Sequence, residues 1–347
     1  MTVSSAANAV LAKARAMYGK RLTAQNYSEL LNCRSVNEAA AYLKSHTAYA
    51  DAFEGVTMGS LRRAQTELLI REHLSGNFAA LCRYEKSIGD GFYKYFVTMS
   101  DVEMLLHAVR CLNRRHPEKS PAKATDFFVR NSQLDALSIE TVSDAEGLLK
   151  AVDGSPYRDV LLPFARDNDG RADYFGMELA LNKYLNSQAE LLIKKYCRGK
   201  SKKELQAMHA FETDTENIVS LYRLKRLTNM PQSVLVTMLM PGGSLGEKEF
   251  TAFMQAPDAE SALKTLENTE YAAFAHRGEQ SVEQIESRLK YDRAKSMVRF
   301  STLPSVVMMS YVTLAKNEIE NLTHIIEGIR YNIPPDEISR MLIGVGD

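Results

Sequence analysis

Apolar residues recur along this chain at helical rather than strand spacing. Ile319, Leu322, Ile326 and Ile329 make one stripe, while Lys316, Glu320 and Glu327 lie off it. The same pattern runs through Ala6 to Tyr18, Asn26 to Leu31, Val36 to Leu43, Leu61 to Leu74, Asp101 to Leu112, Met177 to Tyr196, Lys203 to Leu227 and Val282 to Met297. Alternating β-branched runs between tight turns are scarce. The nearest to a strand, Val234 to Met240, carries methionines and leucines that suit a buried helix equally. The pattern predicts an all-α chain. Pro334-Pro335-Asp336-Glu337 predicts the end of one helix and the start of another. Gly328, a poor interior helix residue, predicts a neighbour packed close against it.

Two elements repeat. Ser35 to Tyr49 (SVNEAAAYLKSHTAY), Ser143 to Tyr157 (SDAEGLLKAVDGSPY) and Pro257 to Tyr271 (PDAESALKTLENTEY) align without gaps, at separations of 108 and 114 residues. Each begins with Ser or Pro and has Glu three residues on (Glu38, Glu146, Glu260). That start predicts a capping box, or its Pro-led equivalent, opening a short helix. A hydroxyl residue follows (Thr47, Ser155, Thr269), then a tyrosine expected to anchor the next element. The second element begins at Asp101, Asp214 and Glu318, each read as the start of a helical stretch. Apolar residues follow at four (Leu105, Ile218, Leu322) and largely apolar ones at eight (Val109, Tyr222, Ile326). Position three holds Met104, Asn217 and Asn321. The order predicts three related helical units, 1–118, 119–231 and 232–347, with joints at the turn-rich stretches His116 to Pro121 and Asn229 to Gln232.

Composition narrows the classes. A chain of 347 residues with 45% apolar and 25% charged residues is long enough for several packed cores and is not of disordered type. Lys+Arg and Asp+Glu both number 43, and zero net charge argues against a dedicated nucleic-acid binder. Cys33, Cys82, Cys111 and Cys197 are scattered, which fits reduced thiols better than a disulfide frame or a zinc site. The first residues, MTVSSAANAVLAKARAMYGKR, lack the apolar core of a signal peptide. No run approaches the roughly 18 apolar residues of a membrane span, and the longest, Leu303 to Ala315, reads as a buried helix. A membrane role is therefore expected to come through a partner.

Motifs that carry chemistry are missing. None of the seven histidines pairs with another at helical spacing for a metal, and His107 and His324, at one phase of the repeat, read as packing or surface residues. Pro241 to Lys248 (PGGSLGEK) fails the phosphate-loop pattern because Glu247 separates Gly246 from Lys248, so it reads as an inter-helix turn. Ser87-Ile88-Gly89-Asp90-Gly91 does not complete a dinucleotide fingerprint. No catalytic, cofactor-binding or metal residue is expected. One charge cluster stands out: Lys194, Lys195, Arg198, Lys200, Lys202 and Lys203. It is either a helix end complementing its dipole followed by a solvated loop, or a docking patch for an acidic partner or anionic lipid headgroups.

Family likeness rests on two stretches. The first runs from Asn8 to Tyr49, with Ala14-Arg15-Ala16-Met17, Arg21-Leu22, Tyr27 to Leu31, Ser35, Glu38, Leu43, Thr47 and Tyr49. The second is C-terminal, with Tyr311, Lys316, Glu318, Ile319, Asn321, Leu322, Ile325, Ile326, Gly328, Glu337 and Ile338. In their order and spacing these residues resemble the C-subunit family of the bacterial and archaeal V/A-type rotary ATPases, whose eukaryotic counterpart is the d-type subunit. The resemblance implies three similar helical domains arranged as a pseudo-threefold funnel, with no active site and no cofactor. It implies a socket on the cytoplasmic face of the membrane, one copy per complex. Its partners would be the D- and F-type central-stalk subunits and the membrane rotor ring, with membrane contact only through the ring. Torque would then pass between the ATPase head and the ion-translocating ring. A general helical-repeat scaffold that binds proteins without any rotor is the alternative reading.

Overall fold

The computed structural model describes residues 3–57, 59, 61–87, 91–113, 125–166, 172–227 and 230–345. Among these the regular structure is helical and contains no strand, as the apolar spacing predicts. In chain order the helices are α1 (Val3–Gly19), α2 (Ala24–Leu31), α3 (Val36–His46), α4 (Arg63–Ser87), α5 (Tyr93–Asn113) and α6 (Asp126–Asn131). Next come α7 (Ala136–Glu140), α8 (Ala145–Ala151), α9 (Pro156–Leu161), α10 (Tyr174–Tyr196), α11 (Gly199–Leu227) and α12 (Gln232–Thr237). The last are α13 (Glu247–Gln255), α14 (Ala259–Lys264), α15 (Ala272–Ala275), α16 (Val282–Phe300), α17 (Pro304–Tyr331) and α18 (Pro335–Met341). The expected joint at His116 to Pro121, Asn229 of the second joint, and Ile88 to Asp90 lie outside the described residues.

Contacts divide the chain into two units. One comprises residues 1–90, 122–127 and 287–347, so both ends of the chain build it; the other comprises 91–121 and 128–286. In the first, α17 is the central strut, with α1 and α4 packed along it. Leu30, Leu43 and Phe53 from the N-terminal part meet Leu322, Ile325 and Ile326 of α17 in one core. The sequence stripe thus buries against residues nearly 300 positions away. The apolar run Leu303 to Ala315 belongs to this same 28-residue helix, which Pro304 starts at a position where its missing N–H costs nothing. Asn332 ends it in the left-handed region (φ 54), and the Ile333 amide donates back to the Gly328 carbonyl at 2.9 Å. The Ile338 side chain of α18 stands where a Cβ on Gly328 would project, which accounts for the glycine.

In the second unit α10 packs along α5 and against α11, and α11 in turn packs on α14. Leu105, Val109, Leu148, Leu161 and Leu181 form a core around the middle repeat. α12 departs from expectation. It is only six residues long; Leu235 is buried, but Val234 and Val236 face outward.

Capping also differs in register between copies. Ser35 caps α3 as expected, accepting the Glu38 amide at 3.1 Å. In the other two copies the cap lies one residue later, at Asp144, which accepts Gly147 N–H at 2.7 Å, and at Asp258, which accepts Ser261 N–H at 2.8 Å. An aspartate accepts these amides where Pro257 has no side-chain acceptor to offer. Glu146 and Glu260 are thereby released to pair with Arg166 and Arg277.

Candidate functional site: acid–tyrosine nodes and a basic elbow

The two repeated sequence elements meet in space through one hydrogen bond. Tyr157 Oη donates to Asp101 Oδ2 at 3.0 Å, Tyr271 Oη to Asp214 Oδ2 at 2.8 Å, and Tyr49 Oη to Glu318 Oε1 at 2.8 Å. Each acid sits well inside a long helix, not at its start as read from the sequence. Its partners explain why. The Leu22 amide donates to Glu318 Oε2 at 2.8 Å, just before α2. The Ser244 amide and hydroxyl donate to Asp214 Oδ2 at 2.7 and 2.9 Å, just before α13. The Ser132 hydroxyl and the Gln133 amide donate to Asp101, just before α7. One carboxylate thus ties a long helix, the loop entering a short helix and the tyrosine that follows the next helix, at the start of the element beyond it.

The tyrosines are placed by the hydroxyl residues before them. Thr47 Oγ1 donates to Leu43 O at 2.6 Å and accepts the Tyr49 amide at 3.1 Å. Thr269 does the same between Leu266 O (2.8 Å) and the Tyr271 amide (3.0 Å). Ser155 keeps only the first of these, donating to Val152 O at 2.6 Å. Position three of the long helix adds a second tie in two copies. Asn217 brackets Met240, with Nδ2 to O at 2.9 Å and N to Oδ1 at 2.8 Å. Asn321 brackets Ile343 at 2.8 and 3.0 Å. Met104, in the copy around Asp101, cannot make this pair. The stretch Pro241 to Lys248, read as a turn, is one as far as Gly246, since α13 begins at Glu247; it delivers Ser244, and Gly243 packs directly against Asp214 with no room for a side chain.

Electrostatics mark the nodes as braces. Burial pushes the Asp101 and Glu318 carboxyls above the usual range, with the bonds they accept pulling the other way. Burial and the adjacent acid push Tyr49, Tyr157 and Tyr271 well above the usual phenol range, so these hydroxyls stay protonated donors. Both Glu318 oxygens accept hydrogen bonds from within the chain, one from the Leu22 amide and one from the Tyr49 hydroxyl. Among the described residues no group of His, Cys, Asp and Glu could hold a metal ion, and no helix is long and apolar enough to cross a membrane.

The basic cluster lies at the elbow between α10 and α11. Lys194, Lys195 and Arg198 stand at the C-terminal end of α10, where cations suit the helix dipole, and Arg198 donates to the carbonyls of Lys194 (3.0 Å) and Cys197 (2.9 Å). The expected solvated loop is missing. Gly199, with φ +54, turns the chain straight into α11, so Lys200 and Lys202 fall in its first turn, with no acid there to offset them, and Lys203 follows at the start of the second. Cations at a helix N-terminus cost roughly 0.3–1 kcal/mol each when exposed. Lys194 pairs with Glu190, and Lys200 with Glu204 at 3.5 Å. The sequence reading missed two neighbours. Lys94 Nζ donates to Tyr196 Oη at 3.0 Å, which draws that phenol below its usual range, and Lys195 Nζ lies 5.4 Å from the Tyr196 ring centre. Gly91 makes room for this ring, and its absent side chain is the only local sign of the contact.

Comparison with known proteins gives a consistent result. Residues 10–341 match the family model described as ATP synthase (C/AC39) subunit. The chain is 24% identical to the A-type ATP synthase C subunit of Thermococcus gammatolerans, over 95% of this chain and 88% of that protein. It is 23% identical to the protein of the same name from Thermococcus onnurineus, over 97% and 89%, and 23% identical to that of Methanococcoides burtonii, over 96% and 93%.

Proposed function

The chain belongs to the ATP synthase (C/AC39) subunit family, and from that premise we propose that it is the socket of a V/A-type rotary ATPase, joining the central stalk to the membrane rotor ring. It is a non-catalytic subunit of that complex. In the proposal, D- and F-type stalk subunits seat in a funnel of three helical units, and the assembly sits peripherally on the cytoplasmic face of the membrane through the ring. The first unit is closed across the two ends of the chain.

The observation that carries this reading is the family match over nearly the whole chain, joined to a node that occurs three times. A joint that transmits torque must resist deformation while its partners exchange no covalent bond with it. Buried charge-assisted bonds that clamp helix, loop and turn together supply that stiffness without a reactive group. Three such braces would let one short chain surround a shaft. The basic elbow of α10 and α11 is proposed as a partner surface, because Lys200 and Lys202 are set against their own helix dipole with Lys203 beside them.

Co-expression with the cognate central-stalk pair and rotor ring tests the proposal. The chain is expected to co-purify with both as a single copy. Consistent failure to join either one would favour the general scaffold.

A further inference from the structure

A cavity of about 580 Å³ lies within the first unit, beside Glu318 and between the two ends of the chain. The repeat explains its position. Around Asp214, the segment bracketed by Asn217 (Met240) runs directly into the one bonded to the acid (Ser244), and Gly243 between them fills the space against the acid. Around Glu318 the corresponding ties are Ile343, on Asn321, and Leu22, on Glu318, far apart in the chain. No short segment bridges them there, and both line the cavity.

Its lining has a definite chemistry. Lys13, Lys20 and Arg21 all line it. The Arg21 guanidinium is fixed 4.3 Å from the centre of the Tyr18 ring. Neither Lys13 nor Lys20 forms an ion pair among the described residues, whereas both Glu318 oxygens already accept hydrogen bonds. Asp51 is the other acid on the wall, and it is exposed. His73 also lines the space; burial lowers its pKa, so it adds a polar group and no charge near neutrality. An anion would find the two lysine ammoniums unpaired, while Arg21 already donates to the Tyr18 carbonyl at 3.3 Å. Tyr291 and Tyr311 are also in the lining. Tyr18, also in the lining, is 8% exposed, yet its hydroxyl has no hydrogen-bond partner. A volume of this size lies in the range of small-molecule sites, roughly 300–1,000 Å³, and far exceeds the roughly 30 Å³ share of one water.

We propose that this cavity binds a small organic anion, a phosphate or carboxylate compound with a ring or apolar body, its charged end at Lys13, Lys20 and Arg21 and its body against the tyrosines. The inference is independent of the proposed socket role. Calorimetric titration of the full chain tests it, with ADP as the organic phosphate, phenylacetate as the carboxylate and inorganic pyrophosphate as an anion without a body. Saturable one-to-one binding of ADP or phenylacetate is expected, weakened about tenfold by Lys13→Ala or Lys20→Ala, since losing one contact to a charged group is worth about a decade in affinity. Lys248→Ala, at an exposed basic residue elsewhere, should leave it unchanged. The two lysines of the cavity are exposed or half-exposed, so the fold survives their loss. The proposal is overturned if neither ADP nor phenylacetate binds at millimolar concentration, or if binding is indifferent to both lysines. Pyrophosphate binding more tightly than ADP would also sink it, because the tyrosine wall would then contribute nothing.

Discussion

Removing one hydroxyl from a node measures how much the brace is worth. Tyr157 and Asp101 are 3% and 4% exposed, and their bond is 3.0 Å long. Tyr157→Phe keeps the ring and its packing and removes only the donor. Asp101 retains the Ser132 and Gln133 donors, so its charge is not stranded. The cost is then that of one hydrogen bond to a charged group, about 1.5–3 kcal/mol, rather than the ~3–5 kcal/mol of an orphaned buried ion. For a unit of this size that is a drop of roughly 3–12 °C in Tm. Calorimetric melting of the full chain reads the shift, and hydrogen exchange on the amides of α5 and α8 locates it. In an Asp101→Asn background the same change should cost less, about 0.5–1.5 kcal/mol, because the bond is then neutral. A Tm change below about 1 °C, or an equal cost in both backgrounds, would refute the idea that the tyrosine braces the chain through the carboxylate.

Four further outcomes follow from the same geometry. Burial raises the Asp101 pKa in the folded state, so this group's favourable contribution is fully present below the unfolded value, about 3.9, and is lost as pH rises through the folded one. Asp101→Asn should therefore gain stability relative to the parent chain as pH rises from acid to neutral; a difference independent of pH would count against the burial argument. Gly328→Ala, which in an open helix would gain up to about 1 kcal/mol, should instead lose about 1–3 kcal/mol against Ile338, as read by thermal melting. Asn217→Ala strands the amide and carbonyl of Met240, and about 1–3 kcal/mol of lost stability should appear with faster exchange of the Met240 amide. Charge reversal at Lys194, Lys195, Arg198 and Lys203 should weaken co-purification with stalk or ring most at low salt; unchanged binding would remove the basic elbow from the interface.

Much of this was legible in the sequence because repetition exposes what a single copy hides. The tyrosines at 49, 157 and 271 and the acids at 101, 214 and 318 stand out by phase alone. Their pairing did not, because side-chain spacing along a helix says nothing about which distant segment it meets. Chain order would pair Tyr49 with Asp101, the next of these acids along, yet Tyr49 bonds Glu318, 269 positions away. Helix periodicity also cannot place a buried acid in the middle of a helix, since the partner amides of Leu22, Gln133 and Ser244 belong to loops without a pattern. The N-caps slipped for a similar reason: Ser143 and Asp144 are both good caps, and only the helix geometry chooses between them. The cations of the elbow were visible as a run, but the turn at Gly199 that sets two of them against a helix dipole needed the backbone.

The family's subunit is non-catalytic, and the role proposed for this chain is to couple two machines. The most direct test is to reconstitute the cognate rotary complex with and without it, and to measure ATP hydrolysis and ATP-driven ion transport side by side. Omission is expected to leave hydrolysis by the soluble head largely intact and to abolish transport, and adding the chain back to restore transport coupled to hydrolysis. Transport that persists without it, or hydrolysis that depends on it in the isolated head, would overturn the proposed socket role.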